Sequence, residues 1–315
     1  MTKDYFLVIR GGINSTFQDF GRENLYHIGI PFSGAMDKRN YLIANKLAGN
    51  LTTDAVIEFA FQGPCLKYFG NKRNIVVTGN VNFKVIKEDY SEIQVKNYKT
   101  IEIDNGDVID ILNTKNSVYG YLSSNGGFEI DEVWGSYSTT TRAFVGPNGG
   151  KKLADNQKIF LKKSEEFSSR LLIYSDTKIE FIRVIEGTNY KYFSEESIKN
   201  FFSKEYFVTN LSDRMGMRLD GQKLKNLKNT NIKSEGLVKG TIQVPADGNP
   251  IILLSDHGTI GGYPKLAVVI SADYDRLVQI PPGSKIRFEK VKLKDAENLY
   301  KLYIMETNNI LNKIL

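Results

Sequence analysis

The stretch Gly240-Thr-Ile-Gln-Val-Pro-Ala-Asp-Gly-Asn-Pro-Ile-Ile-Leu-Leu-Ser-Asp-His-Gly-Thr-Ile-Gly-Gly-Tyr-Pro-Lys265 decides the fold. Its first residues alternate between polar and apolar side chains, which is typical of a short strand over Thr241–Val244. The segment 245–250 contains Asp247-Gly248, a pair that suits a tight reversal. Ile251–Leu254 is an apolar run short enough for a buried strand. The stretch therefore predicts two short strands joined by a turn.

The chemistry changes directly after Leu254. Polar side chains follow within eleven positions, together with three glycines: Ser255, Asp256, His257, Thr259, Tyr263 and Lys265 with Gly258, Gly261 and Gly262. Glycine permits a positive φ and a close approach of the backbone to a ligand. A polar, glycine-rich loop after a buried strand is a common place for a binding or catalytic site. A plain hairpin loop, in which the glycines serve only the turn, explains the pattern equally well.

The composition is that of a globular protein with a mixed surface. The chain has 315 residues, enough for two ordinary domains or one large one, with 41% hydrophobic and 25% charged residues. The net charge of +6 comes from 42 basic and 36 acidic residues that are interspersed, which argues against nucleic-acid binding. We expect no membrane span and no signal peptide, because the apolar runs are too short. The single Cys65 excludes an internal disulfide and predicts a cytoplasmic location.

The N-terminal part carries a second group of polar and glycine residues. Ser15–Arg22 and Ile30–Asp37 precede a segment with helical spacing, for which we predict a helix over Asp37–Ala48 with Gly49 at its C-terminal end. Asp37 would complement the helix dipole. Strand character returns over Ala55–Phe61, where Glu58 stands among apolar neighbours.

Short strands separated by turns are predicted over much of the remaining chain. The candidates are Tyr5–Arg10, Ile75–Val77, Phe83–Val85, Ile101–Ile103, Val108–Ile111, Val118–Leu122 and Leu266–Ile270. Two further helices are predicted, one capped by Ser194 with Ile198, Phe201 and Phe202 inward, and one at the C-terminus. In the latter, helical spacing relates Ala296, Leu299, Tyr300, Tyr303, Ile310, Leu311 and Ile314.

A faint internal repeat is also present. The spacing Ile101-x-Ile…Gly106…Ile111 parallels Val278-x-Ile…Gly283…Phe288, and Asp19-Phe-Gly-Arg22 parallels Asp213-Arg-Met-Gly216. Many short strands, few helices and a two-fold pattern predict a mainly β protein built as two similar barrels.

Three stretches of the chain resemble the signatures of the biotin-dependent carboxyltransferase family. That family includes the C subunit of 5-oxoprolinase, the regulator KipA and allophanate hydrolase subunit 2, the second carboxyltransferase half of urea carboxylase. The stretch 240–265 matches almost throughout, and the short run Asp213–Leu219 is a second match. The third match is carried by Gln18, Asp19, Gly21, Arg22, Gly29, Pro31, Ser33, Gly34, Met36, Asp37, Ala44, Asn45, Gly49, Asn50 and Glu58. The resemblance implies two cyclophilin-like barrels, which we place at 1–165 and 166–315.

The chain departs from the family pattern at several positions. Gly258 stands where the family has Gln, Asn24 where it has Gly, Tyr137 and Lys151 where it has Arg, and Asn156-Gln157 where it has Gly-Asp. Neither Tyr nor Lys supplies the planar, bidentate fork of a guanidinium. These departures favour a substrate or a role different from that of other family members.

The motifs nominate the functional residues. For catalysis they are Asp256, Asp19 and Glu58, with Asp256 the strongest because it follows a buried strand and faces the glycine-rich loop. For substrate binding they are Arg22, Ser33, Gln243, Arg214, Thr259, Gly261, Gly262, Tyr263 and Lys265. Structural ion pairs with Arg22, Arg214 or Lys265 explain the carboxylates equally well, for example Glu58 with Arg22 or Asp256 with Lys265.

Metal binding and cysteine chemistry are not expected. His27 and His257 are the two histidines and Cys65 has no second thiol, so no metal-ligand spacing exists. Cys65 follows Pro64 and precedes Leu66, which predicts a small core residue rather than a nucleophile.

The resemblance implies three alternative roles. The first is the C subunit of an ATP-dependent 5-oxoprolinase, which opens a cyclic amide to glutamate together with an A-type and a KipI-like B-type 5-oxoprolinase component. The second is a carboxyltransferase half that acts on a urea-like amide with biotin on a separate carrier. The third is a non-catalytic, KipA-like regulator of a KipI-like protein. The sequence contains neither a phosphate-binding loop nor a biotin-acceptor segment, so we expect the isolated chain to be inactive.

Overall fold

The computed structural model describes residues 3–165, 168–176, 179–227 and 231–314. The chain forms two compact units. The first comprises Met1–Arg22, Ser33–Ser175 and Thr307–Leu315, and the second comprises Glu23–Phe32 and Asp176–Glu306. The units therefore do not follow the chain strictly, because each includes a short segment that lies far in sequence from the rest of it.

The first unit consists mainly of strands. Its elements are β1 (Tyr5–Arg10), β2 (Thr16–Gln18), α1 (Lys38–Ala48), β3 (Val56–Ala60), β4 (Cys65–Phe69), β5 (Arg73–Thr78), β6 (Val81–Ile86), β7 (Glu92–Gln94), β8 (Thr100–Ile103), β9 (Val108–Thr114), β10 (Tyr119–Ser124) and β11 (Lys158–Phe160). A short 3₁₀ turn lies between β10 and β11, at Asn148–Gly150. The strands form a six-stranded sheet, in the order β11-β1-β4-β9-β6-β7, and a five-stranded sheet, in the order β2-β3-β10-β5-β8.

The two sheets share one apolar core. Phe6, Leu66 and Ile109 come from the six-stranded sheet, and Phe17 and Phe59 come from the five-stranded sheet, and all belong to a single buried cluster. Alternate residues of β6 are buried, as expected for a strand with one face on the core. β3 and β10 are buried along their whole length, because their other faces are covered as well.

Helix α1 confirms the prediction for the segment that follows the N-terminal motifs. The Asp37 side chain caps its first turn by accepting from the backbone N–H of Asn40 at 2.9 Å. Gly49 ends it with a φ of 76°, the left-handed conformation that glycine adopts without strain. Ile43 and Leu47 lie in a second buried cluster together with Ile314.

The second unit contains the remaining elements. They are β12 (Ile182–Glu186), α2 (Glu195–Ser203), β13 (Tyr206–Val208), β14 (Gly216–Gly221), β15 (Glu235–Gly236), β16 (Thr241–Gln243), β17 (Ile251–Leu253), β18 (Ile260–Gly261), β19 (Lys265–Val269), α3 (Tyr274–Val278), β20 (Lys285–Ile286), β21 (Phe288–Lys290) and α4 (Leu293–Asn312). Further 3₁₀ turns lie at Tyr26–Ile28, Tyr190–Tyr192 and Ser271–Asp273. Helix α4 starts in this unit, and its residues from Thr307 onward belong to the first.

The main sheet of the second unit nearly closes on itself. Its eight strands run in the order β20-β13-β14-β17-β16-β19-β12-β21, and β15 and β18 form a separate two-stranded ribbon. The two edge strands, β20 and β21, are consecutive in the chain and are separated by Arg287 alone. The sheet therefore curls until its edges are neighbours, and this confirms the mainly β, barrel-like prediction.

Most of the predicted elements are confirmed. The stretch 240–265 forms the antiparallel pair β16–β17, with Ile242 opposite Ile252. Ser194 caps α2 by accepting from the N–H of Ser197, and Phe201 is its fully buried residue, whereas Ile198 and Phe202 are only partly buried. In α4, Tyr300 is 44% exposed, although its spacing predicted an inward position.

The internal repeat is only partly correct. Val278 ends helix α3 instead of lying in a strand, so the first half of the second copy has a different structure from β8. The glycines of the two copies do correspond, because Gly106 has a φ of 89° and Gly283 a φ of 82°. Among the described residues, no helix is long and apolar enough to cross a membrane.

Candidate functional site

The two units each contain one group of the predicted site residues. Asp19, Arg22, Ser33 and Glu58 lie in the first unit. The second contains Arg214, Gln243, Asp256, Thr259, Gly261, Gly262, Tyr263 and Lys265.

Asp19 follows β2 and is saturated with hydrogen-bond donors. Its Oδ1 accepts from the hydroxyl of Ser136 at 2.8 Å and from that of Ser138. The N–H groups of Gly21 and Tyr137 donate to its carboxylate at 2.8 and 2.7 Å. The side chain is buried and its oxygens already have four donors, so the geometry gives it an anchoring function. Its catalytic role stays a prediction.

Arg22 binds the segment that contains Ser136 and Ser138 by donating to backbone carbonyl oxygens of that segment. The side chain of Arg22 is 1% exposed and donates to the carbonyl oxygens of Val133 at 3.0 Å and Ser138 at 2.8 Å. Ser138 is therefore bound through its hydroxyl by Asp19 and through its carbonyl by Arg22. A guanidinium can serve several carbonyls at once because its donors point in fixed, divergent directions.

The two N-terminal motifs pack directly against each other. The Ala35 N–H donates to the carbonyl oxygen of Asp19 at 2.9 Å. Gly34 has a φ of 82°, and a Cβ there would lie 2.7 Å from the carbonyl oxygen of Phe20. The glycine is needed for both reasons, since a side chain would strain the backbone and collide with its neighbour. Ser33 is buried beside this contact, with its hydroxyl 3.5 Å from the carbonyl oxygen of Thr139.

Glu58 lies on β3 and organises the start of α1. Its Oε2 accepts from the N–H of Met36 at 2.7 Å and from the hydroxyl of Tyr121 at 2.9 Å. The Tyr121 hydroxyl also accepts from the N–H of Asp37 at 2.7 Å. Complete burial raises the pKa of Tyr121 well above its usual value, and the Glu58 charge adds to this. The carboxylate is 1% exposed and ties β3 and β10 to the helix start.

In the second unit, Asp256 is held by Arg214 as a bidentate pair. The Nε and Nη2 atoms of Arg214 lie 2.9 and 3.0 Å from the two carboxylate oxygens, and both side chains are buried. The Asp256 N–H also donates to the Arg214 carbonyl at 2.9 Å. Such a fork positions a carboxylate tightly. Asp256 thus pairs with Arg214, one of the three basic residues considered from the sequence, and the pairing with Lys265 that was also considered is not the one described.

Lys265 has a different carboxylate partner, Glu235. The lysine side chain is 5% exposed, whereas that of Glu235 is 46% exposed. Glu235 lies on β15, which pairs with β18 of the glycine-rich loop so that Glu235 is opposite Gly261. No periodic signal in the sequence indicates the contact between Lys265 and Glu235, because Glu235 lies in a strand of only two residues.

The glycines of the loop allow a close approach of its neighbours. A Cβ at Gly261 would lie 2.8 Å from Leu237 and 3.0 Å from the Gln243 side-chain nitrogen. Gln243 in turn donates to the carbonyl of Tyr263 at 3.2 Å. The carbonyl oxygens of Thr259 and Gly262 accept from the N–H groups of Leu237 and Ile232. The segment 232–238 therefore packs against the loop. This contact agrees with a structural role of the glycines, and the role of the loop as a binding or catalytic site stays a prediction.

His257 and Tyr26 form a contact that the sequence did not indicate. The His257 Nε2 lies 2.8 Å from the Tyr26 hydroxyl, and its Nδ1 lies 2.6 Å from the Gly258 carbonyl oxygen. Burial lowers the pKa of His257 and raises that of Tyr26 to about 12, so both are neutral near pH 7. A carbonyl can only accept, hence Nδ1 carries the proton and Nε2 accepts from the tyrosine. The 231-residue separation hides this pair from any local pattern.

The expectation for Cys65 is confirmed, because its side chain is buried and burial raises the pKa of its thiol to about 11. The described residues contain no group of three or more His, Cys, Asp or Glu side chains that could hold a metal ion.

Comparison with known proteins gives a consistent result. The family model described as "Carboxyltransferase domain, subdomain A and B" matches residues 28–290. The C subunit of 5-oxoprolinase from Haemophilus influenzae is 34% identical over 285 residues, which cover 90% of this chain and 91% of that protein. The Escherichia coli protein of the same name is 31% identical, with 92% of each chain covered. Urea amidolyase of Saccharomyces cerevisiae is 29% identical, but the match covers only 17% of it.

Solved structures support the same relationship. The crystal structure of the K. lactis urea amidolyase matches with a TM-score of 0.89 and 26% identity, over 100% of this chain and 21% of that one. The K. lactis urea carboxylase matches with a TM-score of 0.88 and 26% identity, over 100% of this chain and 31% of that one. The chain thus corresponds to a minor part of these large proteins.

Proposed function

Since the chain belongs to the family of carboxyltransferase domains with subdomains A and B, we propose that it is the C-type subunit of an ATP-dependent 5-oxoprolinase. The observation that carries this proposal is the sequence similarity to relatives named for that role. The two bacterial C subunits of 5-oxoprolinase are 34% and 31% identical to this chain, over 91% and 92% of their length. The S. cerevisiae urea amidolyase is 29% identical.

The proposed reaction adds water across the lactam bond of 5-oxoproline. The carbonyl carbon gains a hydroxyl group, the ring nitrogen gains a proton, and the C–N bond breaks to give glutamate. An amide is a poor electrophile, and ATP activates it by transferring its terminal phosphoryl group to the amide oxygen, which leaves ADP. A second water molecule then releases that group as inorganic phosphate. We propose that the nucleotide is bound by the A- and B-type partners, the latter KipI-like, and that this chain contributes to the binding of the amide.

The second unit supplies the groups that this role needs. Asp256 is fixed by Arg214 at the start of the glycine-rich loop, where a carboxylate can orient water or accept a proton. Lys265 provides a buried positive charge in the same unit, suited to the substrate carboxylate. We propose that Gln243, Thr259, Gly261, Gly262 and Tyr263 contribute to the same site. A functional role for Arg22, Ser33, Asp19 and Glu58 of the first unit is a separate proposal.

The test is reconstitution. The chain is co-purified with its A- and B-type partners, and glutamate formation from 5-oxoproline is measured with and without ATP. We expect ATP-dependent glutamate formation by the complex and none by the isolated chain. A complex that forms but makes no glutamate would refute the proposal, as would activity of this chain alone.

A carboxyltransferase role is the second candidate, favoured by the TM-score of 0.89 to the K. lactis urea amidolyase. In that case a carboxyl group passes from biotin on a separate carrier to the nitrogen of a urea-like amide. Incubation of the chain with carboxybiotin and urea distinguishes the two, because only a carboxyltransferase consumes carboxybiotin.

A KipA-like regulatory role is the third candidate. It is favoured by Gly258, Tyr137 and Lys151, which replace side chains common in the family. The structure places the Tyr137 backbone N–H on Asp19, and this contact does not depend on the side chain. A chain that binds a KipI-like protein and supports neither reaction would identify a regulator.

A further inference from the structure

The ion pair between Lys265 and Glu235 joins a fixed cation to an exposed anion. The Lys265 side chain is 5% exposed, and its backbone is also held, since the N–H donates to the Asn189 side chain at 3.0 Å. It lies in β19, between β16 and β12 of the main sheet. Glu235 is 46% exposed. A buried ammonium requires a counter-ion, and here the counter-ion comes from the solvent side.

The strand that carries Glu235 is held by few interactions. β15 consists of two exposed residues, and within the described part of the chain it pairs only with the equally short β18. The N–H groups of Ile232 and Leu237 flank this ribbon with hydrogen bonds of 2.9 and 3.0 Å to the loop. An isolated two-stranded ribbon is marginally stable, whereas a sheet of eight strands is not. Glu235 can therefore leave Lys265 without disturbing the barrel.

We propose that Lys265 is a carboxylate-binding position and that Glu235 is its resting occupant, which the carboxylate of the substrate displaces. This inference rests on the proposed function and makes Glu235 a specificity-determining residue. A ligand must bring its own negative charge to replace that of Glu235, so a neutral amide gains nothing at this position. The exchange replaces one carboxylate by another on the same ammonium group, and no covalent bond changes.

The experiment uses the full chain without partners or ATP. The variant Glu235→Gln keeps the side-chain length but leaves Lys265 without its counter-ion. We expect a lower melting temperature than wild type, restored by millimolar 5-oxoproline, because a ligand that binds only the folded state stabilises it. Calorimetric titration should show 5-oxoproline binding tighter than in wild type by about tenfold, which corresponds to the removal of a competing interaction of about 1.4 kcal/mol.

Matched controls identify the group that binds. 2-Pyrrolidinone has the lactam but not the carboxylate and should not restore the melting temperature. The double variant Glu235→Gln/Lys265→Met should lose the rescue by 5-oxoproline. Glu186→Gln removes an exposed partner of Lys290 in the same unit and should show no rescue. Equal rescue by inorganic phosphate and 5-oxoproline would overturn the assignment to carboxylates.

A folded Glu235→Gln protein that 5-oxoproline neither stabilises nor binds more tightly would overturn the inference. If this variant does not fold, Glu235→Asp keeps the charge on a shorter side chain. It should then bind 5-oxoproline more tightly than wild type, and equal or weaker binding would overturn the inference. The outcome is separable from that of the proposed function. Rescue without glutamate formation by the complex would refute the function alone, and glutamate formation without rescue would refute the inference alone.

Discussion

The two units hold an aspartate and an arginine from similar motifs in different ways. Asp19 and Asp213 each accept at 2.8 Å from the N–H two residues later, so the local turns correspond. In the first unit, Asp19 is surrounded by hydroxyl and backbone donors, and Arg22 by carbonyl oxygens. In the second, Arg214 is directed to the carboxylate of Asp256.

This difference has consequences for both stability and function. In the first unit, several hydroxyl and backbone groups bind the charges of Asp19 and Arg22. The loss of one of these groups therefore leaves the others in place. In the second unit, Arg214 and Asp256 contact each other as a bidentate ion pair, so the loss of either side chain removes an oppositely charged partner from a buried group. The first arrangement suits a scaffold, and the second suits a site whose charges respond to a ligand. Three of the four predictions that follow test this contrast, and the fourth concerns a titrating residue of the second unit.

The largest effect is expected for Asp256→Asn in the reconstituted complex. Asn keeps the shape but cannot accept a proton, so turnover of 5-oxoproline should fall by about 10²–10⁴-fold. A loss of stability is expected as well, since the variant removes the carboxylate that the buried Arg214 guanidinium contacts. The melting temperature is therefore measured first, and turnover is then expressed per folded molecule.

The matched control for this experiment is Asp273→Asn in the same unit, which removes a buried carboxylate that accepts from the Arg183 Nε at 2.9 Å. It should leave the turnover per folded molecule within a few-fold of wild type. Wild-type turnover in Asp256→Asn, with only a lower melting temperature, would show that Asp256 is structural.

Arg214→Met should give the next largest effect, on stability. Breaking a buried ion pair by removing one partner costs about 3–5 kcal/mol. Arg214→Lys, which retains the charge, should lose less, and the double variant Arg214→Met/Asp256→Leu should be more stable than Arg214→Met alone. Urea unfolding of the isolated chain measures all three. A free energy of unfolding for Arg214→Met within about 1 kcal/mol of wild type would contradict the contrast between the units, because a buried unpaired charge costs more.

Asp19→Asn should destabilise the chain by a smaller amount. One oxygen becomes an NH₂ group that faces donors, but the Ser136 and Ser138 hydroxyls can reorient to accept from it. The backbone N–H groups of Gly21 and Tyr137 cannot, so we expect a loss of about 1–3 kcal/mol. Ser136→Ala removes one donor and should cost less than Asp19→Asn in the same urea titration. A loss for Asp19→Asn as large as that for Arg214→Met would remove the distinction between the units.

The smallest effect concerns the pH dependence that His257 confers. Burial lowers its pKa below the usual 6.5. The unfolded chain therefore takes up a proton before the folded chain does, and the contribution is fully present above pH 6.5 and is lost as the pH falls below it. Nearby Lys239 lowers this pKa further, and Asp256 opposes it.

The measurement is the melting temperature between pH 7.5 and 5.5 (about one unit either side of the usual histidine pKa). His257→Gln has no titrating group and should lose less stability over this range than wild type. Tyr26→Phe retains the histidine and should keep the wild-type slope. An equal slope in wild type and His257→Gln would show that the histidine does not contribute.

The sequence predicted the elements whose signals are local. The alternation before Pro245 and the apolar run after it correspond to β16 and β17, and the cap at Asp37 and the glycine at position 49 bound α1. These signals are periodic or depend on a few adjacent residues, so they survive without the rest of the fold.

The sequence could not predict contacts between distant segments. The Arg214–Asp256 pair joins residues 42 positions apart, and the Tyr26–His257 contact joins residues 231 positions apart. Any of several basic residues could have paired with Asp256, and Lys265 was the nearer in sequence. Arg214 is the partner because the sheet pairs β14 with β17, and this pairing brings the two residues together. No pattern of side chains in the sequence predicts that pairing.

The inclusion of the C-terminal segment in the first unit has a consequence for folding during synthesis. The first unit includes Thr307–Leu315, and within it the Thr307 hydroxyl accepts from the buried Arg39 at 3.0 Å. Ribosomes deliver the chain from its N-terminus, so Arg39 emerges long before Thr307 is made. The first unit therefore lacks its last segment until the second unit has been synthesised. During this interval, Ile43 and Leu47 of α1 lack their contact with Ile314. Exposed apolar surface of this kind is what chaperones bind during translation.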